Sequence, residues 1–92
     1  MKKLKTINDA ECWFCGRTDH LQIHHIYNAS NRRKSEEDGL CVWLCLWHHT
    51  GSNNAVHVDY SKALELKQVG QRIYEQNHTR EEFRERYGKS YL

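Results

Sequence analysis

The sequence predicts a small α+β domain, one β-hairpin followed by helices. Three observations predict it. Residues 21–27 and 39–44 carry the alternation and the β-branched or aromatic content of two short strands. From Ser61 to about Gln76, apolar residues Ala63, Leu66, Val69 and Ile73 recur at three- and four-residue spacing, which is helical. Short Cys/His pairs flank the strands, Cys12-x-x-Cys15 before them and Cys45-x-x-His48 after.

Ninety-two residues make one domain with a modest core, the size at which disulfides or a structural metal commonly add stability. The cysteine pattern favours metal. All four cysteines fall in the first half, and six of the seven histidines lie between His20 and His57. A disulfide framework has no need of such histidine crowding. No apolar h-region follows Met1-Lys2-Lys3-Leu4-Lys5, and no stretch is long enough to span a membrane, so a cytoplasmic setting with reduced thiols is expected. Net charge is only +2, so any nucleic-acid binding must come from local clusters rather than from the total. Two such clusters exist, Lys2-Lys3-Lys5 and Arg32-Arg33-Lys34.

Each element has its own signals. Residues 1–10 read as a polar lead-in with a solubilising lysine cluster. Cys12-Trp13-Phe14-Cys15-Gly16 reads as a knuckle turn, with Gly16 able to take a positive φ; the βαβ context of a redox motif is missing. The first strand ends in His24-His25, and neighbours on a strand point to opposite faces. The doublet can share one ion only where the strand curls; otherwise the two histidines do different jobs. Residues 28–38 read as an exposed connection, with Asn28, Ser30, Asn31 and Ser35 as turn formers. It places Arg32, Arg33 and Lys34 beside the doublet as phosphate contacts. Cys41, inside the second strand, reads as a packed small hydrophobe.

Residues 50–54 form a turn, and Asp59 or Ser61 caps the long helix, in which Gly70 is a mild penalty. Thr79 and Glu82 make a capping box for a last short helix that buries Phe83 and Tyr87 and ends at Gly88. Tyr91 and Leu92 dock the tail. With no proline in the chain, cis-proline devices are excluded.

The two knuckle pairs together offer three thiolates and an imidazole, the donor set of a tetrahedral structural zinc. Twenty-nine residues separate Cys15 from Cys45, enough for a hairpin inserted between the knuckles. His24, His25, His49 and His57 remain beside this clamp. Such a set suits a second divalent ion and a general base, the two requirements of phosphodiester hydrolysis. Neutral imidazole serves either task near neutral pH.

The order Cys12-x-x-Cys15, Ile23-His24-His25-Ile26, Leu44-Cys45-x-x-His48-His49 resembles the HNH endonuclease family and its ββα-metal hairpin. The resemblance covers residues 12–57 of a single domain, 1–92, with a helical extension at 58–92. Ser30-Asn31-Arg32-Arg33-Lys34-Ser35 and the closing Gly88-Lys89-Ser90-Tyr91-Leu92 are similar to small HNH proteins of bacteriophages and prophages. The resemblance implies that His24 and His49 bind the catalytic divalent ion (Mg2+, Mn2+, Ni2+ or Zn2+) and that His25 is the general base. His57 matches a later histidine that some members use as a further ligand. It implies a DNA substrate cut to a 5′-phosphate and a 3′-hydroxyl, in the cytoplasm of a bacterial host. Monomer and dimer both fit. The family's bracing asparagine is replaced here by Gly39, Leu40 and Cys41. Asn31 or a backbone carbonyl then braces the base, or the site is weakened. The competing class is a non-catalytic zinc module that binds DNA or a protein.

Overall fold

Two short strands, β1 (Leu21–His25) and β2 (Cys41–Cys45), pair antiparallel in a register running from Leu21 opposite Cys45 to His25 opposite Cys41. The structure, a computed structural model, describes residues 10–52 and 55–92; the expected lead-in with Lys2, Lys3 and Lys5, and Asn53 and Asn54 of the expected turn, lie outside the described residues. Alternation along the strands puts Gln22, His24, Val42 and Leu44 on one face. Val42 and Leu44 are buried there, in a core shared with Ile26, Tyr27, Leu66 and Phe83. Ile23, His25, Cys41 and Trp43 take the other face, where Ile23 stays exposed. Cys41 is itself buried.

Residues 28–38 connect the strands and are largely exposed, as expected, but they are helical where a loop was expected. A 3-10 turn (Ala29–Asn31) leads into α1 (Arg32–Glu37). No apolar periodicity announces a helix this short, because polar side chains anchor it. Buried Ser35 donates to the Leu40 carbonyl (2.5 Å) and accepts from the Tyr27 N–H (3.3 Å). Toward the C-terminal helix, Asn31 Nδ2 donates to the Tyr87 carbonyl (3.2 Å) and Lys34 Nζ to the Arg86 carbonyl (2.9 Å). Asp38 accepts from Arg86 Nε (2.6 Å) and from the Tyr87 hydroxyl (2.5 Å). Residues 31, 34 and 38 lie on one side of a helical turn, so that side faces α4.

After β2 the chain enters α2 (Leu46–His49), then α3 (Tyr60–Tyr74) and α4 (Arg80–Tyr87). The Asp59 side chain caps α3 by accepting from the Ser61 N–H at 3.0 Å. Gly70 is required by a close approach: a Cβ there meets the Tyr27 hydroxyl at 2.9 Å and Ile26 Cγ2 at 3.1 Å. What propensity counts as a penalty is the place where α3 crosses the end of β1. The capping box of α4 is present, with the Glu82 N–H bonded to Thr79 Oγ1 (3.1 Å) and the Thr79 N–H to Glu82 Oε1 (2.8 Å). Phe83 and Tyr87 are buried as expected, and the tail docks through the Tyr91 N–H on Gln71 Oε1 (2.7 Å). No helix among the described residues is long and apolar enough to cross a membrane.

The fold is therefore a small α+β one: a hairpin, helices behind it, a Cys3His cluster at its open end and a three-histidine cluster reached from the core-facing side of β1.

Candidate metal centres

The first knuckle is a tight turn closed by the Gly16 N–H on the Cys12 carbonyl (2.9 Å) and the Cys12 N–H on the Arg17 carbonyl (2.8 Å). Gly16 takes φ +75°, the left-handed conformation that a side chain opposes. The Trp13 N–H donates to the Trp43 carbonyl (3.0 Å), which docks this turn alongside β2. Cys45 ends β2, and His48 follows one turn later on α2, so a strand end and a helix supply the second pair. Ligand atoms of Cys12, Cys15, Cys45 and His48 all lie within 4.8 Å of one another.

Their spacing can be compared with zinc. Bonds of about 2.3 Å to sulfur and about 2.0 Å to nitrogen give tetrahedral edges of roughly 3.8 Å for S···S and 3.5 Å for S···N. Cys15 and Cys45 sulfurs are 3.8 Å apart. His48 Nδ1 is 3.6 Å from the Cys12 sulfur and 3.3 Å from that of Cys45. The residues fit a structural zinc.

Electrostatics agree with the donor geometry. Burial pushes the Cys12 thiol up, but N–H groups of Cys45, Cys15 and Phe14 aimed at it outweigh burial and bring it below its ordinary value. Burial and the neighbouring Cys12 and Cys15 thiols push Cys45 up. Crowded thiolates of this kind call for a cation between them. Burial and the Lys62 ammonium lower His48, which keeps its imidazole neutral for ligation.

The second cluster joins three elements. His24 comes from the core-facing side of β1, His49 from the end of α2, and His57 from the turn before α3; their ligand atoms also lie within 4.8 Å of one another. Ring centroids are 5.5 Å apart for His24–His49 and for His24–His57, and 4.7 Å for His49–His57. The Val56 N–H donates to the His48 carbonyl (2.8 Å), and this bond returns the chain so that His57 faces its partners. Burial, then the imidazoles of His49, His57 and His25 and the Lys67 ammonium, push His24 down to about 3. His49 is lowered by burial and by His57. His49 Nδ1 lies 2.7 Å from Gln22 Oε1, an atom that only accepts, so Nδ1 carries the hydrogen and Nε2 is left to bind a cation.

His25 stands apart. It is on the opposite strand face from His24, yet at the strand end it lines the same depression, a cavity of about 240 Å³ bounded by His24, His25, Asn28, Arg32, His49 and His57. A second depression of about 350 Å³ shares His25 and Arg32 and adds Ile23, Glu36, Gly39 and Cys41. Of the basic run, Arg32 borders both cavities. Arg33 is exposed and pairs with Glu37 (3.6 Å), while Lys34 is spent on the Arg86 carbonyl. Asn31, a candidate brace for His25, is turned to Tyr87. Cys41, across the hairpin from His25, belongs to neither cluster, and burial raises its thiol.

Gln22 and Glu36 are functional candidates that the sequence alone does not single out. Strand alternation could have found Gln22, two residues before His24 and on its face. Glu36 depends on α1, which has no sequence signature.

No protein-family model, curated protein or solved structure matches this chain.

Proposed function

We propose that the protein is a metal-dependent endonuclease of the HNH type that hydrolyses DNA phosphodiester bonds. One observation carries the reading. The histidine doublet divides between a three-histidine cluster and a separate imidazole, His25, on the wall of the same depression.

In this reading His24, His49 and His57 hold a divalent cation, which when bound neutralises charge developing on the scissile phosphate. His25, as a neutral imidazole, takes a proton from the attacking water. The water oxygen bonds to phosphorus, the P–O3′ bond breaks, and the leaving oxygen collects a proton from solvent. The products are a 5′-phosphate and a 3′-hydroxyl. Arg32 offers a planar donor pair to phosphate oxygens at the rim. The Cys12–Cys15–Cys45–His48 zinc fixes the hairpin end from which His49 projects.

Three imidazoles with no carboxylate favour Zn2+ or Ni2+ over Mn2+ and Mg2+, which prefer oxygen donors. Supercoiled plasmid incubated with each ion tests the reading. Nicking by the native protein, lost in His25→Ala with zinc content intact, supports it. No cutting under any ion leaves a non-catalytic zinc module that binds DNA or protein.

A further inference from the structure

We infer that Glu36 is the positioning residue for His25, standing in for the asparagine that this chain lacks on β2. The inference rests on the nuclease reading and adds the group that orients its base.

The residue across the hairpin from His25 is Cys41, a buried neutral thiol and a weak hydrogen-bond partner. A carboxylate reaches His25 from α1 instead, with Glu36 Oε2 3.8 Å from His25 Nε2. The placement follows from how α1 is held. Asn31, Lys34 and Asp38 tie one side of the helix to α4, and Ser35 is buried against Tyr27 and Leu40. Arg32 and Glu36, one turn apart, are left on the side that borders the depressions.

Only 17% of the His25 side chain is exposed, so its ring has few alternative partners, whereas Glu36 is 73% exposed and free to swing toward it. The gap exceeds a hydrogen bond in the free protein, and such contacts close when substrate fills a site. With Nε2–H directed at the carboxylate, Nδ1 holds the lone pair that accepts the proton from water. A carboxylate behind an imidazole sets its tautomer and orientation, as in other general-base pairs.

The test combines kinetics with a tautomer measurement on zinc-loaded protein, comparing native protein, Glu36→Ala and Glu36→Gln. Glu36→Ala is expected to lower kcat for plasmid nicking at least about tenfold with KM and Tm unchanged. Glu36→Gln, which keeps an accepting oxygen, recovers part of the loss. Long-range 1H–15N correlation is expected to show His25 as the Nε2–H tautomer in native protein and as a mixture in Glu36→Ala. A cutting native protein whose kcat and His25 tautomer match those of Glu36→Ala overturns the role of Glu36 alone. Equal losses in both variants, accompanied by a fall in Tm, overturn it in favour of a structural contact. A native protein that cuts nothing under any ion overturns the nuclease reading itself, before any variant is compared.

Discussion

Gln22 and His49 meet at 2.7 Å, with the imidazole Nδ1–H donating to the amide oxygen. Gln22 lies on β1 and His49 at the end of α2, so the bond joins the strand carrying His24 to the helix carrying its partner. It selects one tautomer of His49 and leaves Nε2 as the nitrogen with a free lone pair. The three-histidine cluster is thereby braced by a residue outside its donor set.

Removing that acceptor should weaken the centre without loosening the fold, since Gln22 is exposed. Gln22→Ala is expected to lower Ni2+ or Zn2+ affinity at the histidine cluster by roughly 10- to 100-fold, the usual cost of losing such an outer partner. Calorimetric titration of zinc-loaded protein measures it. Unchanged affinity means that His49 is oriented by something else.

Loss of the structural zinc should have the opposite signature. Cys15 is exposed, so replacing it removes a ligand and little packing. Structural zinc contributes free energy comparable with the whole stability of a small domain. Cys15→Ser, or chelation of native protein, is expected to abolish cooperative thermal unfolding. Cys41→Ser, at a buried thiol outside both clusters, should retain full zinc content. Circular dichroism and a colorimetric zinc assay read both arms. Native-like melting of Cys15→Ser without zinc sinks the assignment.

Local spacing makes the Cys3His cluster legible in the sequence. Cys12/Cys15 and Cys45/His48 are each three residues apart, and knuckle geometry is written in that interval. Strand alternation likewise separates His24 from His25 correctly. What sequence does not carry is partnership over long separations. Asn31 bonds to Tyr87, 56 residues away, and Asp38 to Arg86, 48 away. Without those bonds residues 32–37 read as a loop, and the Arg32–Glu36 side of α1 goes unseen. Gly70 misleads for the same reason, because its role is to admit Tyr27 from another element.

Gly70 yields a prediction of sign. On an exposed helix face, glycine to alanine gains up to about 1 kcal/mol. Here the added methyl meets the hydroxyl of Tyr27, a ring that cannot retreat. It is buried, its hydroxyl donates to the Lys67 carbonyl (2.6 Å), and it packs on Tyr87 at 4.5 Å. Overpacking of this kind costs roughly 1–3 kcal/mol, so Gly70→Ala is expected to destabilise the protein by about 1–2 kcal/mol net. Urea denaturation decides it, and any stabilisation contradicts the close crossing.

The basic run offers a contrast between neighbours. Arg32 borders both depressions, whereas the Lys34 ammonium donates 2.9 Å to the Arg86 carbonyl and holds α1 on α4. If the nuclease reading holds, Arg32 meets phosphate and Lys34 does not. Arg32→Ala should weaken binding of a DNA duplex, measured by fluorescence anisotropy without divalent ion, and should reduce the salt dependence of log K by about one unit. Lys34→Ala should leave that slope unchanged while lowering stability by about 1 kcal/mol, the worth of a charge-assisted bond at a half-buried site. Arg33, exposed and paired with Glu37, should give a smaller effect than Arg32. Equal changes in slope for Arg32→Ala and Lys34→Ala would mean that the run acts as one diffuse patch. The orientation of α1 against the histidines would then have no part in recognising the phosphate.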